Sequence, residues 1–411
     1  MQGASKRVAE SGKVYSIFTQ SMAPKGLLWL ENVGGTCLHG LHQSPVFSPK
    51  VALFDLDGTL IRPRGGKKFP KDANDWEWWH ATVKSKLAET AISNQAGFSS
   101  RKGEERRAEW KKKIPKIAAQ LPGAPFRIFA AGAYDVYRKP LPGIWHAIEQ
   151  IFAKENVVID KGSSFMVGDA AGRPSDHSFA DRLFSINAGL RFLTPEEFFC
   201  NQKPVPYELS GFDPSTVPND LPLFTPSNTP LIPDHDTSAS VTKPAEIVLF
   251  VGYPASGKTS FYKDYFEPHE YVHVNQDTLG SKKKCLALVE SSVKEGKSVV
   301  VDNTNRDVDT RKPYITLARK LKCSIRCLYF ATPRETAIHN DVYRAFLATP
   351  REGEVHIPVL DPSPTLAFSS FQNNFEAPDV NEGFSEVKTI NWVFRGTEEN
   401  RLLWAIRTHG F

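Results

Sequence analysis

The sequence predicts two α/β domains in tandem, each built on a mostly parallel sheet. Three observations predict it. Between about residues 51 and 200, short apolar runs alternate with helix-like segments, the pattern of strands joined by helical crossovers. Residues 201–245 then carry nine prolines, which remove backbone donors and fix φ, so no long helix or central strand is expected there. A second alternation opens with EIVLFV at 246–251 and continues onward. The expected layout is a weakly ordered lead at 1–34, a first domain at 35–200, a linker at 201–245 and a second domain at 246–411.

Composition narrows the class. The chain has 411 residues, 40% apolar and 24% charged, enough for packed cores and incompatible with wholesale disorder. No apolar run approaches the roughly 18–20 residues that span a bilayer. The patch GLLWL at 26–30 is too short for the apolar part of a signal peptide. A soluble intracellular protein with no membrane partner is expected. The formal charge of +5 is a mild bias toward polyanions. Five cysteines, an odd number with no CxxC pair, match neither a disulfide framework nor a zinc site. Cys323 and Cys327 are expected to be core or surface thiols.

The first element with chemistry is FDLDGTL at 54–60, behind the apolar run VALF. Residues two apart in a strand point the same way, so Asp55 and Asp57 can face one phosphate. Asp55 can act as a carboxylate nucleophile that forms an aspartyl-phosphate. Asp57 can protonate the leaving oxygen and then activate water. Gly58 permits the turn, and a bound Mg²⁺ would relieve repulsion between Asp55 and the phosphate. The needed partners follow in order. Ser93 in ISNQAG offers a hydroxyl, Lys139 in YRKPLPG a cation, and Asp169 in FMVGDAAGR a strand-end carboxylate that can complete a metal site with Asp55 and Asp57. Singly, Ser93 and Asp169 also read as helix caps and Lys139 as a surface charge.

Two further stretches of this half have competing readings. The basic run at 101–116 is a solvated helix face or a phosphodiester-tracking patch. Trp76, Trp78 and Trp79 are packing residues or base-stacking surfaces.

In the second half, GYPASGKT at 252–259 matches G-x-x-x-x-G-K-[ST] between an apolar strand and a helix start, the context a phosphate-binding loop requires. Gly252 and Gly257 let the backbone curl, with Ser256 in the loop, so that N–H groups face phosphate oxygens. Lys258 supplies charge to the β- and γ-phosphates, and the Thr259 hydroxyl can ligate Mg²⁺. ATP and Mg²⁺ are the cofactors expected. Asp277, just past the strand YVHV, stands where a hydroxyl acceptor can be deprotonated. Asp302, ending SVVVD, helps hold Mg²⁺ or caps the next helix. Arg344 is a lid arginine on the transferring phosphate or an exposed helical arginine.

These residues carry a resemblance. FDLDGTL, SNQAG, the Lys139 segment and GDAAGR resemble the four motifs of the haloacid-dehalogenase-type phosphatases. With FPKDANDWEWW, YRKPLPGIW and DHSFADRLFSINAGL, the first half resembles the phosphatase domain of the polynucleotide kinase 3′-phosphatases. VGYPASGKTSFY, VNQDTLGS, VVVDNTNRD and NNFEAPDVNEGF resemble their P-loop kinase domain. The resemblance implies a nuclear, monomeric enzyme that removes 3′-phosphates and phosphorylates 5′-hydroxyls of DNA ends with ATP. It implies Asp55 as nucleophile, Asp57 as general acid–base, Asp169 as a Mg²⁺ ligand, Ser93 and Lys139 on the phosphate, and Asp277 as the kinase base. Fifty residues precede the first motif region, so the shorter fungal-type arrangement, without an N-terminal phosphopeptide-binding domain, is the one expected.

One departure from the family pattern bears on function. Between the helix-like KSKLAE and Ser93 stand only Thr90, Ala91 and Ile92, where a buried parallel strand takes about five or six residues. Either the helix yields its last turn to the strand, or the sheet is damaged and Ser93 misplaced. The second case implies a kinase with an impaired phosphatase. A nucleotide-binding scaffold on DNA ends, without turnover, is the remaining alternative.

Overall fold

The computed structural model describes residues 26–67, 69–87, 90–94, 103–218, 220–233, 244–348 and 364–408, with backbone alone at 90–94 and 364–365. In the first domain β1 (Leu27–Trp29) and β2 (Cys37–His42) pair antiparallel. β3 (Ala52–Asp55) leads into a small hairpin of β4 (Ile61–Arg62) and β5 (Glu77–Trp78), then α1 (Val83–Lys86). β6 (Thr90–Asn94), α2 (Gly103–Ala118), β7 (Phe126–Ala131) and α3 (Gly143–Lys154) follow. β8 (Phe165–Val167), α4 (Ala180–Ala188), β9 (Arg191–Leu193) and α5 (Pro195–Cys200) complete it.

The sheet order is β1-β2-β7-β6-β3-β8-β9, parallel from β7 to β9. The alternation within β3 splits the core. Ala52 and Phe54 pack with Trp110, Ile114 and Ile117 of α2. Leu53 packs on the other face with Ile144, Trp145 and Ile148 of α3. Both faces are covered, as a parallel sheet requires, and the strand ends that carry acids are left pointing into loops.

The second domain contains β10 (Phe224–Thr225), β11 (Glu246–Val251), α6 (Lys258–Tyr265), β12 (Val272–Val274), α7 (Gln276–Leu279) and α8 (Lys282–Lys294). β13 (Val299–Asp302), α9 (Val308–Leu321), β14 (Ser324–Phe330) and α10 (Arg334–Val342) continue it, then α11 (Pro364–Asn374), β15 (Glu386–Ile390) and α12 (Glu398–Trp404). The sheet order is β10-β15-β14-β11-β13-β12, parallel except for the β10–β15 edge. Every residue of the central strand β11 is buried. Ile247, Leu249 and Val251 face Cys285 and Val289 of α8, while Val248 and Phe250 face Phe261 of α6. No helix among the described residues is long and apolar enough to cross a membrane. The cysteines are all free thiols, with Cys327 buried and Cys323 half-buried.

Three expectations are corrected. The first domain does not begin at residue 35: Leu27–Trp29 pairs with Gly40–His42 as the sheet's edge, because the apolar GLLWL needs a surface to bury against. The rest of the expected lead, residues 1–25, lies outside the described residues. The span 201–245 is not simply a linker. Phe224 and Thr225 pair with Ile390 and Thr389, and Leu231 is buried beside Val248 and Phe250. Proline is tolerated on a sheet edge, where one side makes no ladder bonds. The strand before Ser93 is not truncated. β6 has five residues and pairs with β3 on one side and β7 on the other. Its five residues include Ser93 and Asn94 themselves, so the three residues ahead of Ser93 suffice, and α1 has four residues.

The two domains also meet. The Asn187 side chain of α4 donates to the Arg407 carbonyl at 2.9 Å and accepts from the Arg407 N–H at 3.0 Å. Arg407 pairs with Asp213 at 3.1 Å.

Candidate active sites

At the first site, β3 ends on Asp55 and the loop beyond β8 carries Asp169, so neighbouring parallel strands deliver both carboxylates to one edge. Lys139 is buried and donates to Asp55 Oδ1 at 2.6 Å and to Asp181 Oδ1 at 2.6 Å. Asp55, Asp169 and Asp181 each present an oxygen within 4.8 Å of the others. Asp181, in the first turn of α4, is fixed by the Ala170 N–H at 3.1 Å. The Thr59 hydroxyl donates to Asp169 Oδ1 at 3.3 Å.

The electrostatics follow from crowding. Burial first, then Asp181 and Asp169, push Asp55 well above the usual carboxylate range, against the pull of Lys139. Asp169 is raised to about 6 by burial and by Asp181. Burial opposes charge on Lys139, but Asp181 and Asp55 outweigh it, so the ammonium is held more tightly than in water. Three carboxylates around one ammonium leave two negative charges unbalanced when all are ionised. A hard divalent cation with oxygen ligands fits that deficit.

Asp57 stands apart from this cluster. Its carboxylate accepts from Lys113 of α2 at 2.9 Å and is about half exposed. Of the expected metal residues, the side chains of Asp55 and Asp169 come together, with Asp181 as the third carboxylate that could hold a cation, whereas the Asp57 side chain lies past the strand end, where the backbone turns at Gly58 (φ +94°), and meets Lys113 instead. Ser93 sits on β6 opposite Ala130 of β7, and its side chain lies outside the described residues. Asp181 was missed by sequence reading. Its signal was present, an acid opening the helix after GDAAGR, but such acids are ordinary helix-start residues.

Gly58 is required twice over. Its φ is positive, and a Cβ there would land on the Asp169 carboxylate. Gly58→Ala is expected to cost about 1–3 kcal/mol of stability and to slow phosphate-monoester hydrolysis. Thermal unfolding and p-nitrophenyl phosphate turnover check both effects, and wild-type values in each would remove the argument.

Trp76 is buried and so is a packing residue, and Trp78 and Trp79 are half-buried against the same core. The basic run forms α2, whose Arg106, Lys112 and Lys116 are exposed.

At the second site the phosphate loop joins β11 to α6. At Gly252 a Cβ would crowd Phe330 at 2.8 Å, and Gly257 has φ +92°. Ser256 is buried, and its carbonyl accepts from the Thr332 hydroxyl at 3.2 Å. Asn340 of α10 donates to the Ala255 carbonyl at 3.1 Å. Lys258 folds back onto the loop, donating to the carbonyls of Gly252 at 3.1 Å and Tyr253 at 2.5 Å and to Ser256 Oγ at 3.3 Å. Burial pulls its pKa down to about 8, and Asp302, Arg344 and Asp277 are the charges that act on it.

Asp302 is the hub here. Its Oδ2 accepts from the Thr259 hydroxyl at 2.6 Å and lies 2.9 Å from His273 Nε2, whose ring stacks on Tyr262 at 4.2 Å. It does not cap a helix. The next helix, α9, is capped by Asp307. Asp277 is exposed in the first turn of α7, which Asn275 caps. Arg344 lies in the irregular turn after α10, exposed and paired with Asp341 at 2.5 Å. His273 was missed because a lone histidine in a strand carries no signal until its neighbours are known.

Comparison with known proteins places these sites in context. The profile of the family described as polynucleotide kinase 3 phosphatase matches residues 50–199, and an AAA domain profile matches residues 247–352. A bifunctional polynucleotide phosphatase/kinase of Schizosaccharomyces pombe is 36% identical over 348 residues, covering 83% of this chain and 79% of that protein. A polynucleotide 3′-phosphatase of Arabidopsis thaliana is 33% identical over 172 residues, covering 37% of this chain and 24% of that protein.

Proposed function

The chain belongs to the bifunctional polynucleotide phosphatase/kinase family, and from that premise we propose that it heals DNA ends, removing 3′-phosphates in its first domain and phosphorylating 5′-hydroxyls from ATP in its second. The observation that carries this reading is the pairing of two charged constellations in one chain, the Asp55–Lys139–Asp169–Asp181 cluster and the Lys258–Thr259–Asp302 group.

In the phosphatase, Asp55 attacks phosphorus as the bond to the 3′-oxygen breaks, and Asp57 gives that oxygen a proton. Asp57 then takes a proton from water, whose oxygen displaces Asp55 and frees inorganic phosphate. Lys139 keeps Asp55 oriented and offsets its charge as the phosphate approaches. Asp55, Asp169 and Asp181 would hold Mg²⁺, which when bound neutralises charge on the phosphate oxygens.

In the kinase, the loop N–H groups and Lys258 hold the β- and γ-phosphates. Thr259 and Asp302, hydrogen-bonded to each other, would hold Mg²⁺, which when bound would neutralise charge on the phosphate oxygens. Asp277 accepts the proton of the attacking 5′-hydroxyl, and ADP leaves. Arg344, exposed beside the loop, swings onto the transferring phosphate. The scaffold reading gives no use for Asp55 and Lys139 in contact. The impaired-phosphatase reading loses its motive with a five-residue β6. Action as a monomer in the nucleus, on the ends that genomic breaks leave, completes the proposal.

The deciding assay supplies DNA with a 3′-phosphate and a 5′-hydroxyl, with ATP and Mg²⁺, and follows both ends. Both are expected to be converted, and failure at either end removes that half of the proposal.

The raised carboxylates add a pH test. A carboxylate whose folded pKa lies above its unfolded value makes the folded state less favourable as pH rises through the interval between them. For Asp169 that interval runs from 3.8 to about 6. Mg²⁺ would relieve this penalty where the site is ionised. Its stabilisation of the first domain in thermal unfolding is therefore expected to be larger at pH 7.5 than at pH 5, and to vanish in Asp169→Asn. Equal shifts at both pH values would contradict the assignment.

A further inference from the structure

Lys113 lies on the buried face of its helix. α2 buries Trp110, Ile114, Ile117 and Ala118, and Lys113 belongs to the same stripe, three residues after Trp110 and four before Ile117. Its side chain is only 7% exposed. Of the other lysines and arginines of α2, Arg106, Lys112 and Lys116 are exposed and Arg107 and Lys111 half-buried, so Lys113 is the most buried of them.

Burying an ammonium is costly unless it is well paired. Yet the acceptor found for it among the described residues is Asp57 Oδ1 at 2.9 Å, on a carboxylate 47% exposed. A half-exposed carboxylate keeps much of its hydration with or without the lysine, so the pair is a weak stabiliser. What the contact does provide is direction. Ile114 and Ile117 share one apolar cluster with Leu56 and Leu60, the residues that flank Asp57 and its turn. Helix and catalytic loop are thereby locked together, and the ammonium is held at a fixed place relative to the loop.

We infer that Lys113 is a positioning residue for Asp57: it clamps Oδ1 so that Oδ2 is the oxygen turned toward the departing 3′-oxygen. This rests on the reading of Asp57 as the general acid–base. In the first half-reaction the bond from Asp55 to phosphorus forms as the bond from phosphorus to the 3′-oxygen breaks. The electron pair passes to the 3′-oxygen, which receives the proton from Asp57 Oδ2. Lys113 keeps its own protons throughout. In the second half-reaction the same clamped carboxylate takes a proton from water.

The consequence is a dependence on the leaving group. A deoxyribose 3′-oxygen is strongly basic and needs Asp57's proton. p-Nitrophenolate leaves without one. The full chain is compared with Lys113→Met, Asp57→Asn and the double variant, measuring single-turnover release of 3′-hydroxyl DNA and of p-nitrophenolate at saturating substrate. Lys113→Met is expected to slow the DNA reaction about 30–100-fold, with KM and p-nitrophenolate release each within about threefold of wild type. The double variant is expected to be no slower on DNA than Asp57→Asn alone, since Lys113 acts only through Asp57.

Equal losses on both substrates would mark a structural role, a change confined to KM would mark a substrate contact, and multiplying losses in the double variant would mark independent action. Each overturns the inference. A wild-type rate on DNA for Asp57→Asn would instead overturn the underlying reading of Asp57. Lys113→Gln, with the same readouts, serves if methionine at this site prevents folding.

Discussion

Asp55→Asn is expected to lower removal of 3′-phosphate from DNA by about 10⁴-fold or more, with 5′-phosphorylation unchanged. The amide has nearly the shape of the carboxylate but is a poor nucleophile, and it contributes no charge toward a metal. The same substitution removes one of three carboxylates that crowd Lys139. Asp55 is raised by burial and by its two neighbours, so its ionised form is held in the folded domain against a penalty. The metal-free variant is therefore expected to unfold at a temperature no lower than wild type while being catalytically silent. Gel analysis of both DNA ends, with thermal unfolding in a chelator, tests the pair of expectations. Residual phosphatase activity within a hundredfold of wild type would assign the nucleophile elsewhere.

Lys258→Ala is the mirror experiment. It is expected to lower 5′-phosphorylation by about 10³-fold or more and leave 3′-dephosphorylation intact. The ligand-free loop shows why the effect should be large. Lys258 is buried and spends its donors on the carbonyls of Gly252 and Tyr253 and on Ser256. Neutral acceptors do not replace lost hydration, and burial brings its pKa down to about 8. Polyphosphate is the ligand whose charge restores that balance, so the lysine favours triphosphate bound in line for transfer. Alanine leaves the curled backbone, because the conformations of Gly252 and Gly257 do not depend on the side chain. The variant is expected to retain weak nucleotide binding and lose turnover. A kinase rate within tenfold of wild type would show that the loop backbone alone carries the reaction.

Much of both sites was legible because their residues follow buried strands. VALFDLD and IVLFVGYPASGKT mark a strand and its carboxyl end directly, and parallel sheets gather such ends on one edge. Asp55, Lys139 and Asp169 therefore converge as their order along the chain implies. Three other features needed the third dimension. Asp181 joins the cluster because α4 starts beneath the loop of Asp169, a proximity that no spacing encodes. Asp57 leaves it because the backbone turns at Gly58. Lys113 read as one cation in a solvated run, although its place in the Trp110–Ile114–Ile117 stripe was visible as a helical period. The short segment before Ser93 misled for a related reason. Counting only the residues ahead of Ser93 ends the strand too early, whereas Ser93 and Asn94 are themselves ladder residues, paired with Ala130 and Ala131 of β7.

By itself the sequence determined the two parallel-sheet domains, their order, and the motifs that place a strand-end aspartate in one and a phosphate loop in the other. Those features are local, set by apolar periodicity, glycine conformation and strand-end acids. The tertiary structure decided which charges share a site. It brought Asp181 to Lys139, His273 and Thr259 to Asp302, and Lys113 to Asp57. Charge interactions depend on distance and burial, not on separation along the chain, and only the packed fold sets either.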